Sequence, residues 1–319
     1  MDILAEVAGA EQRIRPWILE TPLMDSAPLS DGSGASVFLK LENLQHTGSF
    51  KARGAFSRLL ALTPEERVRG VIAASTGNHG AAVAFAMRQL GIPGRVVVPG
   101  DADRAKVAAI RALGAQVEVH GDDSAVSERH ARGAAARERV TYISPYNDPQ
   151  VIGGQGTVGV ELARQLPAAA AVYIALGGGG LLAGVAAYLK SVWAGVRIIG
   201  ASPERSAVMV ESIRAGRILA LPSEPTLSDG TAGGIEDEAI TFTPCRELAD
   251  DLVTVTEPEI ADAMRRMRRA HEMTIEGAAG VALAAALRHR ERWRGRNVVV
   301  ILCGGNLAAE KLEAVFGAG

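Results

Sequence analysis

Cysteine is nearly absent: Cys245 and Cys303 are the only two. They are too few and too far apart for a disulfide framework or a zinc knuckle, and they fit a reducing cytoplasm. A basic and then apolar leader is also missing, because Met1-Asp2-Ile3-Leu4-Ala5-Glu6 carries acids there, so secretion is not expected. Charge of one sign is lacking too. With 34 Lys and Arg against 36 Asp and Glu the formal net charge is -2, which gives no general attraction to nucleic acid or anionic lipid. The arginine runs 265–269 and 288–292 are not interleaved with stacking aromatics and read as solvated helix faces. The one uncharged stretch of membrane length, Pro167 to Leu189, is rich in Ala and Gly and broken by four consecutive glycines. It reads as buried strand, turn and helix. His120, His130 and His271 show no metal-ligand spacing. Small molecules are left as the default ligands.

What is present is an alternation. At 319 residues the chain exceeds the usual size of a single core, which predicts one large or two interlocked domains. From Gly70, apolar runs at Val71-Ala74, Val96-Val98, Val117-Val119 and Tyr142-Ile143 alternate with helical stretches. A second series has strands at Val172-Leu176, Arg197-Ala201, Leu252-Thr256 and Asn297-Leu302. Short strands alternating with helices imply right-handed crossovers and mostly parallel sheets, so the fold class is α/β with two lobes. A small lobe, 53–147, is expected to sit between the two parts of a larger one, 1–52 and 148–319. The stretch Leu221 to Thr243 is rich in Pro, Ser, Gly and Asp and reads as a long loop over a site. The chain ends about one helix after Gly304-Gly305-Asn306, and no appended regulatory domain is expected.

Four segments carry chemistry. In Thr47-Gly48-Ser49-Phe50-Lys51-Ala52-Arg53-Gly54 a lysine stands at the start of a helix, where the helix dipole and partial burial both favour a neutral amine. Taken alone it reads first as a solvated lysine on the helix's first turn, and only the other motifs overturn that. The turn Gly177-Gly178-Gly179-Gly180 follows an apolar strand and opens a helix, a geometry that turns backbone N–H groups toward phosphate. Two alternatives stay open there: a tight packing turn, and a dinucleotide fingerprint from Gly178, Gly180 and Ala183 with Glu204 downstream. Ser75-Thr76-Gly77-Asn78-His79-Gly80 follows a strand and offers hydroxyls, an amide and free N–H groups to a carboxylate, or simply caps its helix. Cys303 ends a buried strand before Gly304-Gly305-Asn306, facing a ligand or packed in the core.

Together, and in this order, these segments resemble the fold-type II family of pyridoxal phosphate (PLP) enzymes, in its serine/threonine dehydratase and serine racemase branch. Thr21-Pro22-Leu23, Leu39-Lys40-Leu41-Glu42, Gly153 to Thr157 and Ile275-Glu276 extend the likeness over nearly the whole chain. The resemblance implies that Lys51 carries pyridoxal 5'-phosphate as an imine and acts as catalytic base. It also implies that Phe50 flanks the ring, Gly177 to Gly180 hold the phosphate and Asn78 bonds the phenolic oxygen. Cys303 would sit at the pyridine nitrogen with Glu276 nearby, while Ser75, Thr76, Gly77 and His79 border the substrate carboxylate. The implied reaction is α,β-elimination of water from a serine- or threonine-like hydroxy amino acid, giving an α-keto acid and ammonia in a cytoplasmic homodimer.

Three departures qualify this. Where racemase-branch relatives carry a metal-binding glutamate and aspartate, this chain has Ser202 and Val208, so no metal is expected. The racemase's second acid/base serine is matched by Thr76, whose rotamers are more restricted, and this disfavours racemisation. Asp229 to Glu236 with Ile240-Thr241-Phe242 is similar to dehydratases of hydroxyectoine utilisation, which makes an ectoine-derived hydroxy amino acid an alternative substrate. A nicotinamide-dependent dehydrogenase and a non-catalytic amino-acid-binding protein are the competing readings.

Overall fold

The apolar runs become strands within two residues of the expected ends, a normal uncertainty for such boundaries. The computed structural model describes residues 1–32 and 34–317. Its strands are β1 (Leu23–Asp25), β2 (Ser36–Lys40), β3 (Val71–Ala74), β4 (Gly94–Val98), β5 (Gln116–Val119), β6 (Thr141–Tyr142), β7 (Ala171–Ala175), β8 (Arg197–Pro203), β9 (Asp251–Val255) and β10 (Asn297–Ile301). Among the described residues they form a six-stranded sheet ordered β1-β2-β10-β7-β8-β9 and a four-stranded sheet ordered β5-β4-β3-β6. Every pairing is parallel except β1 with β2, which runs antiparallel from Leu23 opposite Lys40 to Asp25 opposite Phe38. The fold is thus α/β, with two open, mostly parallel sheets flanked by helices.

Burial explains the patterns. All five residues of β7 are buried, as are the last four of β10, because helices cover both faces of the large sheet and a polar side chain would have no water to face. In the small sheet the two-residue period divides one strand between two cores. Val96 and Val98 pack with Phe56, Leu59 and Ile110, while Val97 points the other way with Ile72 onto Ala131, Ala134 and Ala135. Among the described residues no helix is long and apolar enough to cross a membrane; Ala171 to Leu189 forms β7, the glycine turn and the buried helix Gly180–Val192.

One buried ionic cluster fixes the helix that carries Lys51. Arg53, fully buried two residues further along helix Lys51–Leu60, donates to Glu42 from Nε and Nη2 at 2.7 Å each. The same guanidinium donates to Glu161 from Nη1 at 2.7 Å and Nη2 at 2.8 Å. Lys40 on β2 adds a bond to Glu161 Oε2 at 2.6 Å and another to the Thr21 carbonyl at 2.7 Å. Burial alone would raise the Glu161 carboxyl, but Arg53 and then Lys40 overcome it and hold it down at about 2. Glu161 stands on helix Pro149–Gln165, whose start is set by Asp148: its Oδ1 accepts from the Gln150 and Val151 amides at 2.8 and 3.1 Å, and Pro149 occupies the first turn.

Candidate active site

The carboxyl ends of β3, β7 and β10 open on one cleft of about 1870 Å3, the edge at which open α/β sheets receive ligands. Pockets for a single small molecule run to roughly 300–1,000 Å3, so the cleft has room for a cofactor and a substrate side by side. The residues that the resemblance assigns to cofactor and substrate line it: Phe50, Lys51, Ser75, Thr76, Gly77, Asn78, His79, Gly177, Gly178, Gly179, Gly180, Glu276 and Cys303.

Lys51 is the first residue of helix Lys51–Leu60, which has no side-chain cap. The segment before it is stitched to the loop after β10. Phe50 N donates to the Cys303 carbonyl at 3.1 Å, Gly305 N donates to the Gly48 carbonyl at 3.0 Å, and Ser49 pairs with Gly304. Lys51 Nζ donates to the Pro145 carbonyl at 2.9 Å and lies 5.1 Å from the centre of the Phe50 ring. Burial lowers its pKa to about 8, although Cys303 and Glu276 pull the other way. A neutral amine is therefore available near neutral pH, as imine chemistry requires.

Beyond Lys51, three groups form a chain of contacts. Glu276, the residue before helix Gly277–Arg288, accepts from Asn78 Nδ2 at 2.8 Å on one oxygen and from the Cys303 thiol at 3.8 Å on the other. Burial raises the Glu276 carboxyl to about 7. The Cys303 thiol is pushed well above its ordinary value, first by burial and then by Glu276, so it stays neutral. Asn306 Nδ2 closes the chain, donating to Asn78 Oδ1 and to the Thr47 carbonyl at 2.7 Å each.

The glycine turn is a cradle that side chains would fill. A Cβ on Gly178 would stand 2.4 Å from the Tyr146 ring, and Gly179 combines a φ of +86° with a Cβ position 2.6 Å from Cys245 Sγ. Only glycine meets both conditions at Gly179. At the mouth of helix Gly180–Val192 the buried Gln155 amide donates to the Pro145 carbonyl at 3.3 Å, while its Oε1, beside Gly180, has no partner. End-for-end rotation of that amide turns a donor toward the turn, which suits a phosphate group. The residues present therefore fit the cofactor implied by the resemblance.

The Ser75–His79 segment divides its work. The cap expected from Ser75 or Thr76 is not a direct one: Gly77 is the N-cap of helix Asn78–Leu90, and Ser75 Oγ accepts from Gly77 N at 3.1 Å. Thr76 lines the cleft and has no hydrogen-bond partner among the described residues. His79 is buried, with Nε2 2.9 Å from the Ile143 carbonyl, and burial followed by the nearby Lys51 charge lowers it to about 3. It is a neutral ring whose bonded nitrogen, facing a carbonyl, carries the hydrogen.

Several contributors escaped the sequence reading. Tyr146 and Gln155 border the cradle, and Arg132 with Glu236 bridges it to the other lobe. Glu236 stands on the loop expected over the site; it forms an ion pair with Arg132 at 2.7 Å, accepts from Asn147 Nδ2 at 2.7 Å and donates its N–H to Tyr146 Oη at 2.9 Å. Gln155 and Glu236 fall within segments that carry the resemblance, Gly153 to Thr157 and Asp229 to Glu236, but without a role of their own, and Tyr146 and Arg132 sit in no such segment; closeness in the fold brings the four together. The expected loop ends at Thr241, where helix Phe242–Leu248 begins.

Elsewhere, Ser202 is fully buried with Oγ donating to the Leu176 carbonyl at 2.5 Å, and Val208 is an apolar core residue. A hydroxyl already engaged and an isopropyl group do not fit the divalent cation that the resemblance implies there. His271 Nε2 lies 2.7 Å from Ser26 Oγ. His120 and His130, without ligand spacing in sequence, come together with Glu118 in space.

Residues 14–304 match the family described as pyridoxal-phosphate dependent enzyme. The L-threonine ammonia-lyase of Thermotoga maritima is 37% identical over 319 residues, covering 100% of this chain and 79% of the relative. The catabolic L-threonine dehydratase of Escherichia coli is 37% identical over 314 residues, covering 98% and 95%. The solved structure of the processed form of threonine deaminase isoform 2 from Solanum lycopersicum aligns with a TM-score of 0.94 at 34% identity, over 98% of this chain and 92% of that one.

Proposed function

Because the chain belongs to the pyridoxal-phosphate dependent enzyme family and is a PLP-dependent lyase of the dehydratase type, we propose how its own residues divide the work and on what substrate. The substrate is a serine- or threonine-like hydroxy amino acid. The observation that carries this reading is Lys51, a buried amine lowered to about 8, in one cleft with the glycine cradle.

When bound, pyridoxal phosphate supplies an electron sink beside the substrate α-carbon. The Gly177–Gly180 amides and the N-terminus of helix Gly180–Val192 would hold the phosphate, and Asn78 would hold the phenolic oxygen. Ser75, Thr76 and the amides that follow would take the substrate carboxylate, while Phe50 would flank the ring. Lys51 Nζ, as a neutral amine, would take the α-proton. The neutral Cys303 thiol would not hold a proton on the cofactor's ring nitrogen as a carboxylate would, which would favour departure of the β-hydroxyl over return of the proton to carbon. The proton that Lys51 takes from the α-carbon would pass to the departing β-hydroxyl, which leaves as water, and hydrolysis of the released enamine through its imine gives the α-keto acid and ammonia. We take residues 53–147 as the small lobe that brings the carboxylate loop to the cofactor, and the working protein as a cytoplasmic homodimer.

The decisive experiment measures keto acid and ammonia release from serine, threonine, 3-hydroxyaspartate, phenylserine and ectoine-derived hydroxy amino acids, with chiral analysis of the remaining substrate. Equal release of keto acid and ammonia is expected from at least one of them. Racemised substrate formed faster than keto acid would replace elimination with racemisation. Chelator treatment is expected to leave the rate unchanged, because Ser202 and Val208 offer no carboxylates. Loss of activity on chelation with recovery on added Mg2+ would contradict that.

A further inference from the structure

At the edge of the small sheet, outside the lining of the cleft although Ser127 and Arg129 beside them belong to it, three side chains converge from two elements. Glu118 lies on β5, His120 follows β5 directly, and His130 stands on helix Ser124–Glu138. Glu118 and His120 are two residues apart along an extended segment and so share a face. The helix brings His130 over them. One ligand atom from each residue lies within 4.8 Å of the others, His130 Nε2 is 2.5 Å from Glu118 Oε1, and the two imidazoles stack with centres 3.6 Å apart at 17°.

The backbone carrying the histidines is fixed. The His120 amide donates to the Val98 carbonyl at 2.9 Å, and its carbonyl accepts from the buried Ser127 hydroxyl at 2.7 Å, one turn before His130. Asp123 caps that helix through the Val126 amide at 2.8 Å. On the other side Arg95 holds Glu118 by its second oxygen at 2.6 Å, leaving Oε1 directed at His130.

We propose that Glu118, His120 and His130 form a binding site for a divalent transition-metal ion of the zinc class, separate from the catalytic cleft. Two imidazoles with one carboxylate suit zinc, cobalt, nickel or copper, and they do not suit the oxygen-only preference of magnesium or calcium. Zinc sits about 2.0–2.2 Å from such ligands, which puts tetrahedral donor atoms roughly 3.3 Å apart. Reaching that spacing requires opening the 2.5 Å contact between His130 and Glu118 and turning the two stacked imidazoles apart, so that one nitrogen of each points at the ion. The ion takes the place of the proton between His130 and Glu118, and water completes its coordination at this partly exposed edge.

The test titrates untagged, chelator-stripped holoenzyme with ZnCl2 by calorimetry, beside His120→Ala, His130→Ala and Glu118→Gln. Each variant is checked for its visible cofactor band to confirm folding. Saturable binding of one ion per chain is expected, weakened at least about tenfold in each variant, since even the outer partners of metal ligands are worth that much. MgCl2 should give no saturable binding. Absence of saturable zinc binding, affinity unchanged in the variants, or magnesium binding as tight as zinc would each overturn the site.

Discussion

Lys51→Ala should give a folded protein with no visible band of lysine-linked cofactor after incubation with pyridoxal phosphate, and with turnover reduced by about 10³-fold or more. A positioned acid or base contributes on the order of 10²–10⁴-fold by itself, and this variant also loses the covalent link. Folding should survive. The ammonium makes one hydrogen bond, to the Pro145 carbonyl at 2.9 Å, and burial already works against its charge. Removing it should change stability by no more than about 1 kcal/mol, the typical net worth of one such bond. Absorption spectra and keto acid assays on the same preparation decide the matter. A retained band with normal turnover would assign the cofactor to another lysine.

Glu161→Ala should be strongly destabilising. It leaves Arg53 short of one of its two carboxylates and Lys40 without its own, both in the fully buried cluster. Breaking a buried ion pair from one side costs about 3–5 kcal/mol, a large part of the 5–15 kcal/mol that holds a typical domain together. Urea denaturation followed by fluorescence measures it, and a loss below about 1 kcal/mol would remove the cluster from the account of stability. The same carboxylate sets an acid limit. Its folded pKa, about 2, lies below its ordinary 4.5, so its stabilising contribution is complete above pH 4.5 and lost as pH falls from 4.5 toward 2. The variant should show a flatter stability curve across that window.

What the sequence discloses and what it hides follow from the range of the interactions. Strands β3 to β10 are legible because each is a local apolar run between turns, and Lys51 and the glycine turn are legible because strand, turn and helix start are neighbours in the chain. Strands β1 and β2 are three and five residues long, and their partners lie elsewhere, β2 beside β10, so no local period marks them. The pairing of Arg53 with Glu42 and Glu161 spans 11 and 108 residues, and charge alone cannot choose those partners among many others. Tyr146 announces itself only through the space that Gly178 and Gly180 leave for it, and Gln155, inside the segment Gly153 to Thr157, gains a role only from its place beside Gly180. Thr76 and Ser75, expected equally as caps or as ligands, turn out to cap only indirectly, which leaves the Thr76 hydroxyl free for the cleft.

The register of β2 against β10, Ser36 opposite Asn297 through Lys40 opposite Ile301, sets the order in which a chain leaving the ribosome acquires its chemistry. The small sheet uses residues 71 to 142 alone and has all its strands early in synthesis. The large sheet stays open until its last strand emerges, because β10 is the wedge between β2 and β7. Phe50 and Ser49 likewise lack their partners, Cys303 and Gly304, until then. A nascent chain therefore lacks the contacts that fix the segment leading into Lys51 until nearly the whole polypeptide has been made.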